Sequence, residues 1–253
     1  MKHAFFVTSS IELDQSKPFK GTKSRTVFST RERLEQTIRT LQSCHSLDPH
    51  ADVYLIDSSV THFAELYQIP NLHYYKLEQI NSEIADTVRT YPNKSYCECL
   101  MILEFFKHYK STLKQYDFIT KLCGRYFFDE TFNLSQYNQQ NVGKFFLKTP
   151  MSWSGQHIDF LTEEQLPKDL LVNGELTGTY TVAHGLHRDR LDHYEALMFA
   201  CAQSSMKHAK FYYQDVEYSL YYFLRLFNLL DDVVIVPWDV HGQSGVTGKW
   251  MKY

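Results

Sequence analysis

Apolar and polar positions in the first half of the chain keep changing period. His3 to Ser9 is built around Ala-Phe-Phe-Val and turns polar at Thr8, Ser9 and Ser10, which predicts a first strand. Leu34, Ile38 and Leu41, at spacings of four and three, give a buried face to a helix capped by Ser29 or Thr30. Asp52 to Asp57 predicts a second strand, Val60 to Tyr67 a short helix, and Leu72 to Leu77 a third strand after the breaker Pro70-Asn71. Ser95 and Glu98 then stand in capping-box spacing, opening a helix to about Tyr109 with Leu100, Leu103 and Phe106 among its core positions. This alternation predicts an α/β fold: a mixed, mostly parallel sheet with helices on both faces.

The stretch from Asp117 to Glu130 sits at the centre of this pattern. Its apolar, aromatic run stops at Gly124, flanked by Lys121 and Arg125, and so reads as a buried strand ending in a polar site. Ligands of open α/β sheets sit beyond the carboxyl ends of the strands, where Lys121, Gly124 and Arg125 would meet them. An edge strand with solvated basic residues is the alternative. Before the first helix, Lys17 to Arg25 forms a basic loop.

Further on the pattern is less regular, as where antiparallel strands join an α/β sheet. Strands are predicted from Phe145, over Leu176 to Val182 and over Val233 to Val236, and helices over Leu191 to Ala202 and Val216 to Leu230. Gly242, Gly245 and Gly248 mark a closing loop.

Composition narrows the classes. The 253 residues, 43% of them hydrophobic, suffice for one domain with a large core. A net charge of −3 excludes a general nucleic-acid binder, though not a local cationic pocket. Five cysteines with no CxxC pair read as reduced thiols of a cytoplasmic protein, not a disulfide frame or zinc site. No run reaches the length of a membrane span, while contact with a membrane surface stays open. Histidines such as His184, His187 and His193 show no metal-binding spacing.

Four segments in order carry a resemblance. Phe28-Ser-Thr-Arg-Glu-Arg-Leu-Glu-Gln-Thr-Ile-Arg-Thr-Leu, Val-Tyr-Leu-Ile-Asp57-Ser, Asn93-Lys-Ser-x-x-Glu98 and Lys121-Leu-Cys-Gly-Arg-Tyr126 are together similar to the nucleotide-sugar half of GT-A-fold glycosyltransferases. The chain most resembles the small bacterial and large-DNA-virus enzymes that build surface glycans. The resemblance covers residues 1–130, and the C-terminal loop more loosely. It implies a GT-A-like, Rossmann-like domain with a nucleotide-sugar half over 1–130 and an acceptor half over 131–253. It also implies a sugar nucleotide donor, with UDP favoured, and a glycan or lipid-linked glycan acceptor. By the same resemblance Asp57 receives the base or ribose, Thr8 and Ser9 touch the nucleoside, and Arg31 and Lys94 are further binding candidates.

One departure is instructive. Many GT-A enzymes hold a divalent cation with Asp-x-Asp after the fourth strand, where this chain has Lys121, Gly124 and Arg125. Arg125 and Lys121 can neutralise a leaving diphosphate directly, which predicts metal-independent transfer. The alternative is Mn²⁺ or Mg²⁺ held by Asp129 and His241, with Glu130 nearby. The closing loop, with His241 and Ser244, would approach phosphate. Inverting transfer needs a base for the acceptor hydroxyl. Glu217 leads, and Glu175 and Asp159 compete. A catalytically inert nucleotide- or carbohydrate-binding module remains the rival, whereas a nucleotidyltransferase would need a Gly-rich, basic signature where Val7-Thr-Ser-Ser stands.

Overall fold

The structure, a computed structural model, describes residues 1–19, 22–129, 131–152, 171–172, 175–207, 216–245 and 247–252. The elements begin with β1 (His3–Ser9), α1 (Thr30–Leu47), β2 (Asp52–Asp57), β3 (Leu72–Lys76), α2 (Leu77–Ile80), α3 (Ser82–Thr90) and α4 (Lys94–Leu113). They continue with β4 (Phe118–Cys123), β5 (Tyr126–Phe128), β6 (Phe145–Leu147), β7 (Met151–Ser152), β8 (Leu171–Val172), β9 (Glu175–Gly178) and β10 (Ala183–His187). Last come α5 (Leu191–Lys207), α6 (Val216–Leu226), β11 (Val233–Ile235), β12 (Val240–Gln243) and β13 (Trp250–Lys252).

β1 is buried at every position, which only a strand covered on both faces can be. Its alternate side chains feed two cores. Ala4 and Phe6 pack with Phe105, Phe106 and Tyr194 of α4 and α5, while Phe5 and Val7 pack with Leu34 and Leu41 of α1. The main sheet runs β11-β6-β10-β4-β1-β2-β3. β10 lies antiparallel to both its neighbours and the other pairs are parallel. This is the expected mixed, mostly parallel, Rossmann-like sheet, its parallel part foreshadowed by the alternating first half and its Rossmann-like form by the resemblance. Two three-stranded sheets, β13-β12-β5 and β7-β9-β8, are set beside it.

Several boundaries depart from expectation for local reasons. Ser29 caps α1 through a full capping box with Glu32, as read, but the box expected of Ser95 and Glu98 does not form. Asn93 caps α4 instead, the Ser95 hydroxyl accepts the Val216 amide at 3.0 Å, and Glu98 is released to turn inward. The helix expected over Val60 to Tyr67 is only a 3₁₀ turn, Ala64–Gln68, and the strand expected over Leu176 to Val182 divides into the end of β9 and the approach to β10. The Gly-rich closing loop is largely a hairpin, β12 on β13, with β12 also paired to β5. All five cysteines are free thiols. Among the described residues no helix is long and apolar enough to cross a membrane.

Candidate functional site

Parallel pairing brings the carboxyl ends of β1 and β4 side by side, with Thr8 opposite Cys123. The chain leaves β4 through a turn that only glycine fits. The Gly124 amide donates to the Thr8 carbonyl at 2.8 Å, and a Cβ at Gly124 would stand 2.8 Å from both Cβ and Oγ of Ser9. From the other side the Thr37 hydroxyl donates to the Gly124 carbonyl at 3.1 Å and lies 2.9 Å from Ser9 Oγ. This turn sets Arg125 at a cleft, open to solvent, between the strand ends, the first turns of α4 and the segment joining β1 to α1. Thr8, Ser9, Lys94, Gly124 and Arg125, all expected at the site, line it together.

Leu13, Phe19, Val88 and Met101 form an apolar part of the lining, and among the described residues its charged groups are Arg25, Arg33, Lys94 and Arg125 with one carboxylate, Glu98. The arginines are not equivalent. Arg25, 2% exposed, donates to the carbonyls of Lys17, Val88 and Tyr91 and lies over the Phe19 ring, so it mainly pins the Lys17 to Arg25 segment against α3 and α4. Arg33, 3% exposed, donates to the Ser10 carbonyl at 2.6 Å. Burial first, and the Arg125 charge second, push its pKa down to about 9, with Asp57 opposing, so it stays charged at neutral pH. The Arg125 guanidinium has only a ring contact with Tyr126, and its Nε is buried with no hydrogen-bond partner among the described residues. Its back is closed by Gly245, where a Cβ would stand 2.8 Å from Cζ and Nη1. An unpartnered buried donor costs about 1–3 kcal/mol and more when charged, and the Arg33 charge adds to that cost.

Lys121 departs from the expectation that it faces a ligand. It lies within β4, its side chain is fully buried, and its ammonium donates to Glu98 Oε1, to Cys123 Sγ at 2.9 Å and to the Thr181 carbonyl at 2.8 Å. An ammonium has three protons, and all three are committed. Side-chain alternation explains the error, since Lys121 and Cys123 share the face of β4 that α4 covers. Burial alone would push the Glu98 carboxyl up; the Lys121 charge, with that of Lys94, outweighs it and holds the pKa down to about 2. Burial likewise pushes Lys121 down, and Cys123 and Glu98 more than restore it, so the pair is charged.

Other expected site residues lie outside this lining. Asp57, fully buried, accepts from the Ile11 amide at 3.2 Å, the Ser59 hydroxyl at 2.8 Å and the Tyr74 hydroxyl at 2.9 Å, so it braces the strand ends instead of receiving a nucleoside. Burial nevertheless raises its pKa against those bonds. Arg31 is exposed and paired with Glu35 and Glu65, both at 2.9 Å. Arg33, about 200° further round the helix, takes the inward position expected of it. Ser244 is spent in its own turn, accepting from the Thr247 amide and the Gly248 amide. Glu217 is half-buried in the first turn of α6, its carbonyl accepting from the Thr179 amide. Asp159, Glu130 and the Trp153 to Phe160 loop lie outside the described residues, as does the side chain of Glu175.

His241 and Asp129 do meet, at 2.6 Å, and Asp129 also accepts from the Thr131 amide and hydroxyl. Among the described residues no group of three or more His, Cys, Asp or Glu is placed to hold a metal ion. Glu130, the third group expected beside Asp129 and His241, lies outside the described residues.

Sequence reading missed Arg33 in the cleft, the burial of Arg25 and the inward role of Glu98. Arg33 carried a faint signal, because Arg33, Thr37, Thr40 and Cys44 fall on the buried face of α1 with Leu34 and Leu41. For Arg25 nothing in its loop announced burial.

No family model matches the chain, and no curated protein matches it. Among solved structures, the chain is similar to a glycosyltransferase involved in the glycosylation of the major capsid of PBCV-1, at 6% identity and a TM-score of 0.46, over 93% of this chain and 81% of that one. A likeness at this level carries no argument about the cleft.

Proposed function

We propose that the cleft binds the diphosphate of a nucleoside-diphosphate sugar, UDP-linked in the first instance, and that the protein is a glycosyltransferase. The supporting observation is Arg125, a guanidinium whose buried Nε has no partner, set at the carboxyl ends of two parallel strands with Arg33 behind it. Planar guanidinium donors match phosphate oxygens in charge and geometry. In this reading the bond from the anomeric carbon to the β-phosphate oxygen breaks, and its electron pair leaves with the nucleoside diphosphate. An acceptor hydroxyl forms the new bond from the opposite face, with inversion, and gives its proton to a base. Arg125, not Lys121, meets the charge that develops on the leaving oxygen.

Residues 1–130 then supply the donor half, residues 131–253 the acceptor half, and the acceptor is a glycan or lipid-linked glycan. Glu217 is the base in this reading. Thr179, whose amide meets the Glu217 carbonyl, is two residues before Thr181, whose carbonyl holds Lys121 beside the cleft. The rival, an inert module that binds a nucleotide or sugar, draws on a specific observation: Glu98 is the only carboxylate among the described lining, and it is already paired.

Calorimetry with uridine, UDP, GDP, CMP, dTDP and their sugar conjugates tests the site. A diphosphate should bind and the bare nucleoside should not, and Arg125→Ala should weaken diphosphate binding by roughly tenfold to a hundredfold, as loss of a charged hydrogen bond implies. Equal binding of uridine and UDP, or an Arg125→Ala protein that binds like the wild type, would overturn the assignment. Hydrolysis of the bound donor separates an enzyme from a module.

A further inference from the structure

Among the described residues Glu98 is the one acidic group lining the cleft, beside Arg25, Arg33, Lys94 and Arg125. Its Oε1 accepts from the Lys121 ammonium and from the Cys123 thiol at 3.3 Å. Its Oε2 accepts no hydrogen bond among the described residues. The side chain is 11% exposed and lines the cleft. It is also held still, because Lys121 anchors it from below and α4 carries it. Glu98 and Arg125 line the same cleft.

We propose that Glu98 selects the donor sugar: its open Oε2 accepts a hydrogen bond from a hydroxyl of a neutral sugar attached to the diphosphate, and its charge turns away sugars bearing a carboxylate. The inference rests on reading the cleft as a sugar-nucleotide site and adds the class of sugar to it. A fixed carboxylate acceptor pairs strongly with a hydroxyl donor, and like charges brought together in such a site cost several kcal/mol. Lys121 and Cys123 are the positioning residues, acting on the ligand only through Glu98.

The test compares binding of UDP, UDP-glucose and UDP-glucuronic acid by calorimetry, with GDP, GDP-mannose and GDP-mannuronic acid as a parallel set. Wild-type protein should bind the neutral conjugate at least as tightly as the bare diphosphate, and the acidic one at least about tenfold more weakly than the neutral one. Glu98→Gln should abolish the preference for the neutral conjugate, because the like-charge term is gone and the Lys121 ammonium is left without its carboxylate, bringing the two conjugates to within about threefold or favouring the acidic one. Should Lys121, left unpaired, prevent that variant from folding, Glu98→Gln combined with Lys121→Met removes both charges and should bring the two conjugates to within about threefold of each other. Unchanged discrimination in the folded variant, or none in the wild type, overturns the role of Glu98 while leaving the diphosphate site standing. If neither nucleotide set binds the wild type at all, the cleft assignment falls and this inference with it.

Discussion

Removing the cation beneath the cleft is the sharpest probe of how the site is built. Lys121→Met keeps the length of the side chain but leaves Glu98 without the ammonium that holds it. Breaking a buried ion pair by deleting one partner costs about 3–5 kcal/mol, because a charge is left without compensation. Here the lower end applies, since Glu98 opens on the cleft and water can reach it. A loss of about 3 kcal/mol corresponds to a fall in Tm of roughly 6–12 °C for a domain of this size. Adding Glu98→Gln to Lys121→Met should recover most of that loss, because a neutral pair of similar volume replaces the orphaned charge.

The same pair predicts a pH signature. The Glu98 carboxyl is depressed from 4.5 to about 2 in the folded protein. The stability it contributes is therefore present above pH 4.5 and lost as pH falls towards 2. Lys121 is raised from 10.5 to about 12, so its share persists below 10.5 and is lost as pH rises through 12. Urea unfolding of the wild type, both single variants and the double variant, at pH 7 and again between pH 4.5 and 3, gives a double-mutant cycle. The gap between wild type and Lys121→Met should narrow across the acid series. A coupling energy near zero at pH 7, or a gap that stays constant down to pH 3, refutes the reasoning.

Three further outcomes follow from the same geometry. Gly245→Ala should leave the fold near its wild-type stability yet weaken UDP binding several-fold, since its methyl group displaces the end of the flexible Arg125 side chain; calorimetry paired with thermal unfolding checks both halves. Sugar transfer should be insensitive to EDTA, because guanidinium groups meet the diphosphate; turnover abolished by chelation and restored by Mn²⁺ would count against this. Glu217→Gln should lower turnover by about two orders of magnitude with donor affinity unchanged, the size expected of a general base, and near-native rates would remove Glu217 from the mechanism.

Along the chain, the local pattern determined a good deal. The limits of β1 and β2, the Ser29 cap of α1, and the mixed sheet with helices on both faces follow from hydrophobic period, capping chemistry and breakers, all of which act within a few residues. The Gly124-Arg125 turn was legible too, because glycine and charge at a strand's end are local marks. What the sequence could not contain was which charges would find each other. Lys121 and Glu98 are 23 positions apart and Arg125 and Gly245 far further, so only the packing of α4 on β4, and of the C-terminal hairpin against the turn, decided that one cation is spent inside and the other left open. Asp57 met the same fate as Lys121, drawn inward by Tyr74 and Ser59. The role of a charged side chain depends on the solvent and partners around it, and those are fixed by contacts between segments that no stretch of sequence holds by itself.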